Sequence, residues 1–351
     1  MPPMTHRHPA ADPAAIEATR VLLSRIGITP SDLLATIPEC PTFAQTIPQL
    51  RSTLSPGTLR TYRVHLDRLE NTWPNQRLDQ VTVADLDRQA HDVQTTSRIN
   101  RSSRDGSGAR EHFVNAARSL YRYAEHNNWI QPHRNPARQL TIPTRQPSHR
   151  RAIPSAHLAE ICHVAAVTGN DRELDSLILR LHIETACRRE GALRLRPDDL
   201  DTDLCLVLLR EKGGRDRWQP ISPTLMWHLT DHAEHRSSPP GGQLLRYRRG
   251  TPITTRRYDH LWTRLGTHLP WVTTQHITTH WLRHTTLTWV ERTFGYATAR
   301  AYAGHHTHRH DTTATYVKAD LFEIATALSA LTQEAHPLLL ADNNIDLGIR
   351  R

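Results

Sequence analysis

The stretch TTHWLRHTT (278–286) places His280, Arg283 and His284 within five positions. His280 and Arg283 are three residues apart, so on a helix they share a face. With Thr279 as the expected N-cap, both would lie near the positive end of the helix dipole, where anions and phosphate in particular are favoured. A solvated face has no need of imidazoles, and a buried stripe would reject an unpaired guanidinium because of its desolvation cost. The chemistry suggested is anion binding. Three further stretches carry reactive groups. ETACRREGALRLRPDDLD (184–201) puts Arg188 and Arg189 where a long helix should end, CLVLLREKGGRDRWQPIS (205–222) puts Lys212 at a glycine turn, and AGHHTHRHDTTATYVKAD (303–320) is His-rich and runs through His305 to Tyr316. Each alone fits a surface helix or a core aromatic in a chain rich in Arg and His.

The elements that must position these groups are mostly helical. Ser55-Pro56 reads as an N-cap and first helical residue, followed by Leu59, Tyr62, Leu66 and Leu69 at helical spacing. Thr82 with Asp85 is a capping-box start. The polar stretch 95–108 reads as a loop, and Phe113, Ala117, Leu120 and Ala124 mark a third amphipathic helix. Beyond a Pro- and Arg-rich stretch, Ser155 is the expected cap of a helix with Leu158 and Ile161. Leu174, Leu177, Ile178 and Leu181 mark a long helix to about Thr185. Residues 205–222 switch to a β-hairpin pattern. Ser222-Pro223 opens another helix, and one over about Thr254–Leu265 turns Tyr258, Leu261, Trp262 and Leu265 inward, with Arg256, Arg257, His260 and Arg264 outward. The last regular helix carries Leu321, Ile324, Leu328 and Leu331.

This pattern divides the chain into an arm or leader (1–47), a helical domain (48–140), a basic linker (141–154), a second domain (155–335) and a tail (336–351). The expected fold is mostly α, with a small β-hairpin or sheet in the second domain. The 351 residues suffice for two cores, and 37% hydrophobic with 23% charged residues describes a globular chain. Apolar runs stay short of the ~20 residues of a membrane span, and the first residues lack the apolar segment of a signal peptide. Four scattered cysteines without CxxC spacing fit a reducing compartment, so a cytoplasmic location is expected. A net charge of +9 favours a polyanionic partner. Of the 44 basic residues only Lys212 and Lys318 are lysines, which makes each of them informative.

Taken together, the four segments resemble the tyrosine recombinase (phage integrase) family. A first box of the form T-G-x-R-x-x-E-x-x-x-L is met by Thr185, Arg188 and Leu195, and a G-K-G-type hairpin turn by Lys212, Gly213, Arg217 and Pro220. A second box, H-x-L-R-H-T, is met by His280, Leu282, Arg283, His284 and Thr285; a third, L-G-H followed by T-T-x-x-Y, by Gly304, His305, Thr312, Thr313 and Tyr316. The resemblance spans about residues 50–335. It implies a two-domain DNA clamp, in which a helical core-binding domain and a catalytic domain grip double-stranded DNA and cut it through a 3′-phosphotyrosine, with no metal and no cofactor. The implied catalytic set is Arg188, Lys212, His280, Arg283, His305 and Tyr316. Two guanidiniums suit a phosphate that gains charge in the transition state. Lys212 suits a general acid, since arginine does not readily release a proton. Arg145, Arg150 and Arg151 in the linker and Arg256, Arg257 and Arg264 on their helix are the expected DNA contacts. The implied assembly is a homo-oligomer, a tetrameric synapse on DNA, to which the tail would dock, with an accessory or directionality protein as a candidate further partner.

The sequence also departs from the family pattern. Gly191 stands where the family has an acidic residue, Glu190 lies one position early, Ala186 replaces the family Gly before the first Arg, and Ala303 replaces Leu before Gly-His. His305 and Tyr316 are eleven positions apart, longer than the usual spacing, and His306 could take the third-box role. The departures motivate a second reading, a recombinase-like protein that binds DNA without cutting it. A third reading is a metal-dependent enzyme using HHTHRH (305–310) or the triplet His276, His280 and His284.

Overall fold

The computed structural model describes residues 12–27, 40–97, 106–144, 151–211, 215–304 and 321–341. The chain divides into two compact units, Met1–Gln146 and Pro147–Arg351.

In the first unit, helix α1 (Pro13–Arg25) starts at Asp12, whose carboxylate accepts from the Ala14 amide at 3.0 Å, and it buries none of its residues. Helix α2 (Phe43–Thr53) starts with a reciprocal capping box between Thr42 and Gln45 and buries Phe43, Thr46, Ile47 and Leu50. Among the described residues, the packed part of this unit therefore includes Cys40, Phe43 and Ile47, ahead of residue 48. Helix α3 (Pro56–Thr72) is capped by Ser55, and α4 (Val83–Thr96) opens with the expected Thr82–Asp85 box. Helix α5 (Ser107–His126) turns Phe113, Ala117, Leu120 and Ala124 into the same core. Burying each large apolar side chain contributes roughly 1.5–3 kcal/mol. Tyr121 keeps its hydroxyl satisfied by donating to the Leu78 carbonyl at 3.0 Å. In the same core His65 meets the edge of Phe113, with ring centroids 6.0 Å apart.

The second unit opens with α6 (Ser155–Val167), where Pro154, not Ser155, occupies the N-cap position and no side chain closes the end. Helix α7 (Arg172–Thr185) buries Leu174, Leu177, Ile178 and Leu181 and stops at Ala186, which adopts the left-handed conformation with φ 48°. That conformation is one that glycine adopts more readily than alanine. The short α8 (Arg189–Arg194) follows with Arg188 as its N-cap residue. Strands β1 (Leu200–Asp201), β2 (Leu206–Glu211) and β3 (Arg215–Pro220) make an antiparallel sheet in sequence order, with Leu209 opposite Arg217 and Glu211 opposite Arg215. Next come α9 (Pro223–His235), capped by Ser222, α10 (Thr255–His268), capped by Thr254, and the short α11 (Pro270–Thr274).

Helix α12 (Thr279–Tyr302) has Thr278, not the expected Thr279, at its N-cap position. The Thr279 hydroxyl instead accepts from the Trp262 indole N–H at 2.8 Å. Gly295, at φ 89° and ψ 170°, breaks this helix in two, a backbone conformation open to glycine. Helix α13 (Leu321–Thr332) buries Ile324 and Leu328, and α14 (Pro337–Ala341) follows. Between the last two, Glu334 accepts from Arg180 Nη2 at 2.8 Å and from the Thr224 hydroxyl at 2.6 Å. His336, 1% exposed, contacts the Cys205 carbonyl through Nε2 at 3.2 Å and accepts from the Leu338 amide. No helix among the described residues is long and apolar enough to cross a membrane.

Candidate active site

Helix α12 delivers the first group. Its buried face runs Thr279, Leu282, Arg283, Thr286 and Val290, so Arg283 sits inside the apolar stripe, 4% exposed. The expectation that such a stripe would refuse a guanidinium fails for a specific reason. Arg283 donates from Nη1 to the Ala186 carbonyl and from Nη2 to the Ala303 carbonyl at 2.8 Å, and its charge lies 3.9 Å from Glu211. A buried cation that is hydrogen-bonded and paired avoids most of the penalty. One side chain thus ties the end of α7 to the end of α12.

Arg188 comes from the turn between α7 and α8. Its guanidinium bonds Glu211 through Nη1, its backbone amide points at the same carboxylate at 3.3 Å, and its side chain remains 43% exposed. That turn is held from beneath. His182 donates from Nδ1 to the Cys187 carbonyl at 3.1 Å, a role fixed because a carbonyl can only accept, and its Nε2 takes the Tyr258 hydroxyl at 3.1 Å.

The hairpin contributes a third guanidinium. Arg217 donates to Gln219 and, at 3.3 Å, to the Thr185 carbonyl, and it stands 4.0 Å from Glu211. It also lies over Gly304. A Cβ on that residue would come within 2.5 Å of Arg217 Cδ and Nε, and the φ of Gly304 is +65°. The third box therefore has glycine both for its backbone conformation and for the guanidinium packed above it.

Three cations thus surround one buried carboxylate. Burial, followed by the repulsion of Arg188 and Arg217 against the pull of Glu211, lowers the Arg283 pKa to about 10. Burial likewise pushes Arg217 below the usual arginine range. At about 10, Arg283 remains charged at neutral pH, and three guanidiniums share the single buried carboxylate of Glu211. Beside it opens a cavity of about 500 Å³, lined by Arg188, Glu211, Tyr258, Trp262 and His280 among others. His280 is exposed, whereas His284 is half-buried and shares a 3.1 Å contact with the Thr288 hydroxyl.

Arg188, Arg283 and His280 are thus brought to one site, together with Glu211 and Gly304, the residues that precede Lys212 and His305. Lys212, His305 and Tyr316 themselves lie outside the described residues, as do Arg145, Arg150 and the HHTHRH run. Among the expected DNA contacts, Arg151 and Arg256 are exposed. Arg257 is not available outward: it is 5% exposed, pairs with Asp175 at 2.6 Å and donates to Asn170 at 2.9 Å. Arg264 is committed to the same Asp175 carboxylate at 2.6 Å. A fully buried carboxylate demands such partners, and it claims two arginines that helical spacing alone assigns to solvent. His276, with φ 53°, precedes α12, and the triplet His276, His280 and His284 forms no metal-holding group among the described residues. Glu211, His182 and Tyr258 are site residues that the sequence reading missed, and Arg217 was seen only as part of a turn. The available signal for Glu211 was its place next to Lys212.

Residues 151–321 match the model of the phage integrase family. The tyrosine recombinase XerC of Chromobacterium violaceum is 26% identical over 188 residues, which make up 52% of this chain and 58% of that protein. The chain therefore aligns with less than two thirds of this curated relative. A lambda integrase tetramer bound to a Holliday junction superposes with a TM-score of 0.59 at 13% identity, covering 85% of this chain and 87% of that one. The Tn1549 transposon integrase in complex with transposon right end DNA gives 0.58 at 16% identity, covering 83% and 99%. At such identities the two structures establish the fold.

Proposed function

Residues 151–321 belong to the phage integrase, or tyrosine recombinase, family, and from that premise we propose that the protein is a site-specific DNA recombinase that cuts and rejoins double-stranded DNA. The observation that carries this reading is the meeting of Arg188, Arg217 and Arg283 around the buried carboxylate of Glu211 beside an open cavity. A backbone phosphate would give the three guanidiniums a second anion to share. Donors fixed before the reaction stabilise charge that develops on the non-bridging oxygens without reorganisation. Planar, permanently charged guanidiniums match phosphate geometry.

In this mechanism the Tyr316 phenol oxygen attacks phosphorus and the bond to the 5′ oxygen breaks. Lys212 gives the departing oxygen its proton. His280 and His305 donate hydrogen bonds or take up the phenol proton. The product is a 3′-phosphotyrosine ester and a free 5′ hydroxyl. Attack by a 5′ hydroxyl on the ester restores the phosphodiester and releases the tyrosine, so ATP is not consumed. Covalent catalysis splits one hard step into two. The helical unit and the basic stretch with Arg145, Arg150 and Arg151 would hold the duplex, Arg256 would face it, and four copies would form the synapse in the cytoplasm.

The test uses a randomised pool of nicked duplexes, from which wild-type protein should retain DNA after denaturation. Tyr316→Phe should retain none, and equal trapping by this variant would overturn the assignment. A second reading, binding without cleavage, is favoured by Gly191 and the eleven-residue separation of His305 and Tyr316. Selective DNA binding with no adduct from wild type would favour it.

A further inference from the structure

Glu211 ends strand β2, one residue before Lys212, and its side chain is 4% exposed. It is the carboxylate with which Arg188, Arg217 and Arg283 all pair, and it also accepts from the Arg188 amide at 3.3 Å. Gly191 lies on α8, three residues after Arg188. A Cβ at Gly191 would stand 3.7 Å from Glu211 Cγ, an ordinary contact, and no left-handed backbone reserves this position for glycine. A side chain at 191 would therefore grow into the space that Glu211 fills from the other side. The two positions are adjacent, in direct van der Waals contact.

We propose that Glu211 is a positioning residue: the carboxylate that orients Arg188 and Arg283 is delivered by the end of strand β2 in place of helix α8, which locks that strand to the arginine cluster. Its role in DNA cleavage rests on the recombinase reading, whereas its role in ordering the arginines does not. A carboxylate on the strand has a consequence that one on the helix lacks. Strand β2 cannot shift without loosening Arg188.

A double-mutant cycle on the full chain tests this, with Glu211→Gly, Gly191→Glu and the two combined, and with Glu211→Gln as the variant that keeps the shape. Thermal unfolding is read alongside the rate of adduct formation on nicked duplexes and the affinity for the same DNA. Glu211→Gly should lower the unfolding midpoint by roughly 5–10 °C, because it strips a buried pair of its anion. Gly191→Glu alone should also lower the midpoint, by crowding a second carboxylate against the first. The combined variant should recover at least half of the Glu211→Gly loss. Glu211→Gln should slow the adduct roughly tenfold to a hundredfold while DNA affinity holds within about threefold, a split that mere destabilisation would not give. Additive losses in the unfolding cycle would overturn the exchange, whatever the activity. Recovery in that cycle with no adduct from wild type would sink the recombinase reading and leave the placement of the carboxylate standing. Wild-type adduct rates in Glu211→Gln would refute the positioning role.

Discussion

At the scale of single residues, charges are held here by partners distant in the chain. Arg283 binds the carbonyls of Ala186 and Ala303, and Arg217 spans from Thr185 to the space above Gly304. Gly304→Ala would drive a methyl to within 2.5 Å of the Arg217 side chain at a backbone φ of +65°. It should cost about 1–3 kcal/mol, read as a lower unfolding midpoint. That loss should shrink when Arg217 is also cut to Ala, and an undiminished loss would remove Arg217 as its cause. The sequence exposed Arg188 and Arg283 because both sit in short local motifs. It hid Glu211, whose meaning depends on an arginine 23 positions away. It misassigned Arg257 for the same reason, since Asp175 is 82 positions upstream. Helical spacing gives the face of a residue but cannot tell which buried carboxylate will claim it.

At the scale of elements, local chemistry was the more legible part. Ser55, Thr82, Ser222 and Thr254 cap the helices they precede, and the hairpin forms across the glycine turn, because capping and turn chemistry are settled within a few residues. Helix α2 was obscured by Pro48 inside it and by the prolines around it, although Thr42 and Gln45 carried a capping-box signal. Phe43 anchors this helix: it is fully buried and meets Trp73 at a ring-centroid distance of 5.5 Å and Tyr121 at 6.5 Å. Phe43→Ala should destabilise the first unit by roughly 3–5 kcal/mol, measured by chemical denaturation. A change below 1 kcal/mol would return residues 40–47 to the status of a loose arm.

At the scale of the whole molecule, pH should act through neutral histidines sealed into each unit. Burial, with help from His112 and Arg68, lowers the His65 pKa to about 4, and its Nδ1 is buried without a hydrogen-bond partner. Burial, with Arg236 nearby, lowers that of His232 to about 4 as well, and its Nε2 accepts from the Arg246 amide at 3.1 Å. The unfolded chain takes up these protons near pH 6.5 and the folded chain only near 4, so stability should fall as pH drops through that window and level off below it. His65→Leu should flatten its share of the slope in a pH series of unfolding midpoints, and an unchanged slope would clear His65 of that role. The Glu334 contacts and the sealed His336 bear on how this chain can be divided. The family match stops at residue 321 and α13 at Thr332. An excised fragment ending at either point would strip Arg180 and Thr224 of their shared acceptor and leave the Cys205 carbonyl without its imidazole. A fragment of the second unit that keeps these contacts therefore has to extend past residue 336, beyond both the end of the family match and the end of α13.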